Sequence, residues 1–211
     1  MKDIVIVGAG GLGREVAWTI GRINGNAPGD APWRIVGFAD DAPDRASGSF
    51  GEVPLLGPCV DAAGKWPHAS FFVAVGDNAT RKRIVRALGE RDFPALVDPS
   101  AIVAPSARIS RGVFVAPQAV VSVDAEVGEF SIVNARSGVG HDSVLGAFSQ
   151  VCPGASLSGC AILGECSLVG TNACTVPGVK VGDGATVAAG TTAFADVAAN
   201  TTLSPFGTLR K

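Results

Sequence analysis

Two hydrophobic rhythms divide this chain of 211 residues. Over about the first 97 residues, short apolar runs alternate with stretches of helical period. Residues 3–7 form an apolar run that enters a glycine loop, and residues 12–23 follow with Val16, Ile20 and Ile23 on one helical face. Residues 33–39 (WRIVGFA) read as a second strand ending at Asp40 and Asp41. A third strand, residues 71–75 (FFVAV), leads through Gly76-Asp77-Asn78 into a basic helix over residues 80–91, with Asp77 or Asn78 placed to cap it. Such alternation predicts a small parallel sheet with helices on its faces.

From Val103 onward the period becomes six. Every sixth position from Val103 to Val187 gives a series of fifteen, of which fourteen are Val, Leu or Ile and one is Thr175. Four residues after each, from Ala107 to Thr191, the residue is always small or β-branched. A β-sandwich would show alternation of two with irregular turns. A short fixed repeat instead implies stacked units. Six residues make one flat face and three faces make one triangular coil, so the series predicts about five coils with no inserted loop. The aliphatic residue is expected inside this prism and the small residue at its corner, with Pro-Gly and Gly-Asp-Gly supplying turns. The expected fold class is an α/β Rossmann-like domain, residues 1–97, followed by an all-β parallel β-helix, residues 98–211.

Composition narrows the function. The 17 basic and 19 acidic residues form no basic stripe, so nucleic-acid binding has no electrostatic footprint. Mean hydropathy is positive, yet no uninterrupted apolar run approaches the roughly 18 residues of a membrane span. The N-terminal apolar run is too short for a signal peptide. Five cysteines (Cys59, Cys152, Cys160, Cys166, Cys174) contain no CxxC pair, which predicts reduced, buried thiols, no metal site and a cytoplasmic location.

Four segments carry a family likeness: Gly8-Ala9-Gly10-Gly11-Leu12-Gly13-Arg14-Glu15-Val16; Gly37-Phe38-Ala39-Asp40-Asp41; Val75-Gly76-Asp77-Asn78-Ala79-Thr80-Arg81; and Val139-Gly140-His141-Asp142-Ser143-Val144-Leu145-Gly146. In this order, ahead of and within a hexapeptide tract, they resemble the sugar O- and N-acyltransferases of the left-handed β-helix class. That class includes sialic acid O-acetyltransferases and acetyltransferases of nucleotide-linked 4-amino sugars. The resemblance implies acetyl-CoA as co-substrate, a nucleotide-linked amino sugar as acceptor, and a homotrimer in which the donor lies between neighbouring prisms.

It also implies residue roles. His141 would be the general base, since an imidazole exchanges protons near neutral pH, and Asp142 would orient it and stabilise the imidazolium. As a corner residue His141 should be exposed, in a cleft that trimer packing closes. His68, the other histidine, lies in a connecting loop and has no expected role. Donor contacts fall on Gly159, Thr171 and Ala189, and on Gln150 where relatives commonly carry a second histidine. Glutamine can hydrogen-bond there but cannot carry a proton. The C-terminal segment 203–208 (LSPFGT) also departs from the family turn, and Lys180, Arg210 and Lys211 are the cations available to phosphates.

Gly8, Gly10 and Gly13 after a strand and before a helix have the spacing of a phosphate cradle. NAD is opposed by the domain's size, short of two mononucleotide-binding halves, and by the lack of a dehydrogenase domain. In the family this half binds the nucleotide sugar, which assigns Gly10, Gly11, Leu12, Asp40, Asp41 and Gly76 to the substrate. Amine and hydroxyl acceptors need the same base, so O-acetylation of a sialic-acid-like sugar remains an alternative, as does a non-catalytic scaffold. A γ-type carbonic anhydrase needs three histidines, and the prism has one.

Overall fold

The computed structural model describes residues 1–42 and 53–210, of residues 209 and 210 the backbone alone. The chain divides into two compact units, Met1–Pro94 and Ala95–Lys211.

The first unit is a three-stranded parallel sheet, β1 (Lys2–Val7), β2 (Trp33–Ala39) and β3 (Ser70–Val73), in the order β2-β1-β3. The central strand is buried on both faces, with Ile4, Val5, Ile6 and Val7 all 0% exposed, which is why it reads as an unbroken apolar run. Helix α1 (Gly11–Asn26) follows β1 and buries Val16 and Ile20. Helix α2 (Cys59–Lys65) is new relative to the hydrophobic pattern, because seven residues are too few to display a helical period. Helix α3 (Asn78–Leu88) begins where Asp77 Oδ1 accepts the Thr80 amide at 2.8 Å. α3 is not a uniformly solvated basic helix. Arg81 is 1% exposed, donating to the carbonyls of Val75 (2.7 Å) and Gly76 (3.3 Å) and to Asn78 Oδ1 (2.8 Å).

The second unit is a parallel β-solenoid of three flat sheets with eight, six and five strands. It matches the parallel β-helix expected from the hexads and the left-handed class that the resemblance implied. Residues pair with those one coil later: Ile132 with Gln150, Gly138 with Ser156, Val144 with Ile162. The solenoid has about six coils, one more than the aliphatic series predicted. Leu96–Val97 already pairs with Phe114–Val115, and Thr192–Ala193 and Thr201–Ser204 extend the other end. The last coil is shortened, with Val181 bridging Val197 and Thr186 pairing with Thr202. The chain then reverses, so that Gly207–Arg210 runs antiparallel to Thr201–Ser204.

The small residues of each hexad are inside the prism rather than at its corner. Ser131, Ser143, Ser149, Ala125 and Ala161 are 0% exposed. The two-residue period of a strand turns Ser143 and Leu145 to the same side. The buried hydroxyls are satisfied by corner carbonyls, Ser131 by Gly146 at 2.9 Å and Ser143 by Ser158 at 3.1 Å. Corners are built by left-handed residues at six-residue intervals, among them Asp124, Phe130, Arg136, Asp142, Phe148, Cys160 and Cys166, all with φ between 54° and 59°. Each such amide is fixed to the previous coil: Asp142 N donates to Val123 O (3.1 Å) and Cys160 N to His141 O (2.8 Å). Among the described residues, no helix is long and apolar enough to cross a membrane.

Candidate active site

All six residues assigned to the substrate line one cavity of about 530 Å³ in the first unit. The carboxyl ends of β1 and β2, the start of α1 and the β3–α3 loop converge there. The glycines divide by job. A β-carbon on Gly8, which has φ +106°, would sit 2.6 Å from Ala74 O, and one on Gly13 would strike Gly8 and lie 3.4 Å from a Phe38 ring carbon. Gly11 would meet nothing within 4 Å, so its face is open to a ligand. No side chain caps α1, which leaves amides of its first turn directed at the loop, as anion sites require.

The two aspartates are partly engaged by the backbone. Asp40 Oδ2 accepts the Ala9 amide at 2.7 Å and so ties β2 to the glycine loop. Asp41 Oδ1 accepts the Cys59 amide at 2.8 Å, fixing the start of α2. Burial, aided by the neighbouring Asp41, pushes the Cys59 thiol up to about 12. Three lining side chains able to hydrogen-bond or carry charge were not assigned to this cavity from the sequence: Cys59, Thr80 and Arg83. Thr80 and Arg83 stand three apart in the basic helix, a spacing that puts both on one face and could have marked Arg83 as the cation of this cavity. Of the cations suggested by sequence, Lys180 is exposed on the prism, and Lys211 and the side chain of Arg210 lie outside the described residues. His68 is exposed in the loop between α2 and β3.

In the second unit, His141 and Asp142 occupy one edge of the prism, between the sheets that carry Val139 and Val144. His141 Nδ1 lies 2.7 Å from Asp142 Oδ2, with the side chains 58% and 56% exposed. A carboxylate there accepts from Nδ1–H, so the neutral ring carries its lone pair at Nε2. The imidazole leans over Gly159, one coil on: a β-carbon at Gly159 would collide with Nε2, sit 2.6 Å from Cε1 and 2.9 Å from Cδ2. Gly159 therefore leaves the ring its space. Only Cys59 of the five thiols is buried as expected; Cys160, one coil beyond Asp142, is exposed because it is a left-handed corner residue.

The remaining donor residues are elsewhere on the same prism. Thr171 and Ala189 are exposed and share a different edge, between the sheets that carry Val169 and Cys174. Gln150 lies on a flat face, paired with Ile132 and Leu168. It is only 8% exposed, and its Oε1 is buried without a hydrogen-bond partner. An orphaned buried acceptor suits a ligand amide, and the pantetheine arm of CoA carries two.

Comparison with known proteins gives consistent matches. The model described as PglD N-terminal domain matches residues 3–88. UDP-N-acetylbacillosamine N-acetyltransferase of Bacillus subtilis (strain 168) is 34% identical over 120 residues, 54% of this chain and 51% of that protein, so the match spans about half of that relative's length. The acetyltransferase domain of PglB from Neisseria gonorrhoeae FA1090, solved with acetyl coenzyme A, is 32% identical with a TM-score of 0.85, covering 100% of this chain and 99% of that one. A histidine-to-asparagine variant of perosamine N-acetyltransferase from Caulobacter crescentus, solved with CoA and GDP-perosamine, is 26% identical with a TM-score of 0.87, covering 100% and 97%.

Proposed function

The chain belongs to the hexapeptide-repeat sugar N-acetyltransferases, and on that premise we propose that it transfers the acetyl group of acetyl-CoA to the amine of a nucleotide-linked amino sugar. The reaction forms a C–N bond, breaks the thioester C–S bond and moves one proton from nitrogen to base. His141 is that base, and Asp142 holds its tautomer. The 2.7 Å contact between Nδ1 and the Asp142 carboxylate carries the reading, because it leaves Nε2 as acceptor on an exposed edge. The cavity of the first unit receives the nucleotide: its α1 amides and Arg83 meet the phosphates, and Asp40 and Asp41 offer remaining lone pairs to ribose or base.

Support for this acceptor class comes from the neighbour solved with CoA and GDP-perosamine. Gln150, Gly159, Thr171 and Ala189 remain the donor residues of the reading. The separation of Thr171 and Ala189 from the His141 edge favours a homotrimer, in which the donor lies between the His141 edge of one copy and the Thr171 edge of the next. The products feed bacterial glycan assembly, and both substrates are cytoplasmic metabolites. Release of CoA thiol from acetyl-CoA, measured against UDP-, dTDP- and GDP-linked amino sugars, tests the activity. His141→Ala is expected to lower turnover by about 10²–10⁴-fold without loss of fold. Undiminished turnover in that variant, or binding of NAD alone in calorimetry, overturns the assignment.

A further inference from the structure

We propose that His141, Asp142 and Cys160 form a zinc site, and that zinc bound there switches the transferase off. One ligand atom from each of the three lies within 4.8 Å of the others. Tetrahedral zinc at its usual bond lengths needs ligand atoms about 3.3–3.8 Å apart, a change that small side-chain rotations supply. The ligand set of imidazole nitrogen, carboxylate oxygen and thiolate sulfur is one that zinc accepts.

The solenoid's backbone places the three. Asp142 and Cys160 are the left-handed residues of one edge in successive coils, with φ 58° and 59°. Cys160 N donates to His141 O at 2.8 Å, which sets the thiol's α-carbon beside the histidine's own backbone. Gly159, lacking a β-carbon, leaves the ring room to lie over the coil that carries Cys160. All three side chains are exposed on the prism, at the edge that the acetyl donor must also reach in the proposed reaction. The prism supplies three ligands, and water fills the fourth position. The Cys160 thiol gives up its proton to solvent as the Zn–S bond forms, and no electrons change hands.

Binding engages the histidine and its carboxylate at once. A ring nitrogen bonded to zinc has no lone pair for the acceptor's proton, so turnover stops until the ion is removed. The effect on turnover rests on the reading of His141 as base, whereas the binding itself does not.

The test uses the full-length protein freed of metal. Cobalt(II), titrated without substrates, should develop a thiolate-to-cobalt charge-transfer band that Cys160→Ser and Cys160→Asn both lack. Asn tolerates the left-handed backbone at position 160, so the Cys160→Asn variant separates loss of the thiol from a folding defect. Equimolar zinc should abolish CoA release, EDTA should restore it, and the zinc needed for half-inhibition should rise at least tenfold in both variants. A missing cobalt band in the unaltered protein, or equal zinc sensitivity with and without Cys160, overturns the proposal. A protein with the band but no transferase activity would retain the zinc site and lose the functional reading.

Discussion

The imidazole of His141 rests over the α-carbon of Gly159, its counterpart one coil later, so closely that no other amino acid at 159 leaves the ring in place. The fold thus reserves a space for this histidine with a residue eighteen positions away, while Asp142 fixes its tautomer from next door.

The contrast between two glycines tests this. The three atoms nearest a methyl at Gly159 all belong to the imidazole, which is half exposed and can swing aside. Gly159→Ala should therefore lower turnover at least tenfold while stability changes by less than about 1 kcal/mol. A methyl at Gly140 meets backbone, with Gly159 N at 2.6 Å, the Ser158 carbonyl carbon at 2.7 Å and Leu157 O at 2.9 Å. Gly140→Ala should cost about 1–3 kcal/mol in urea denaturation. The Gly159→Ala/His141→Ala pair should recover any stability that Gly159→Ala loses.

Asp77 gives the first unit a defined acid sensitivity. Hydrogen bonds from Thr80, helped by Arg81 and Arg83, hold its carboxyl below the usual range. The folded value is the lower one, so the stabilisation is complete above the ordinary carboxyl value of about 3.9 and is lost as pH falls through the folded value. Asp77→Ala should cost about 0.5–2 kcal/mol at pH 7. That difference should shrink as denaturation is repeated at successively lower pH below about 4.

The thiols should separate by reactivity. Cys160 is exposed, whereas the Cys59 thiol is buried, pushed up to about 12 and held protonated. Iodoacetamide near neutral pH, followed by peptide mass mapping, should modify Cys160 early and Cys59 only after unfolding. Because the folded value is raised, the contribution of the protonated thiol is present below the ordinary value of about 8.5 and fades as pH rises towards 12. Rapid labelling of Cys59 in the folded protein would contradict its placement.

The solenoid was the most legible part, because each inward position must be aliphatic and any break in the series would show. Its corners were not. Phe130 and Phe148 adopt the left-handed conformation despite bulky rings, held by stacking on each other at 5.1 Å, and nothing local in the chain marks them. The aspartates at Asp124 and Asp142, and the glycines at the same register, were the visible trace of that rule. The cavity of the first unit was legible through its loops, in that the six residues picked out there line one space. Arg81 was hidden because a run of basic residues looks like a solvated face until the carbonyls of Val75 and Gly76 are seen to need its guanidinium. Cys160 was opaque for a different reason: its closeness to His141 depends on a coil of eighteen residues, not on adjacency in sequence.

The reversed C-terminal strand has a consequence for how these molecules behave in a crowd. A stack of parallel rungs exposes unsatisfied amides at its open end, and an identical prism could continue it indefinitely. Here the closing rung is two residues short and the following strand, Gly207–Arg210, runs backwards. An incoming first coil finds neither matching direction nor matching spacing, so the hairpin acts as a stopper against fibre growth.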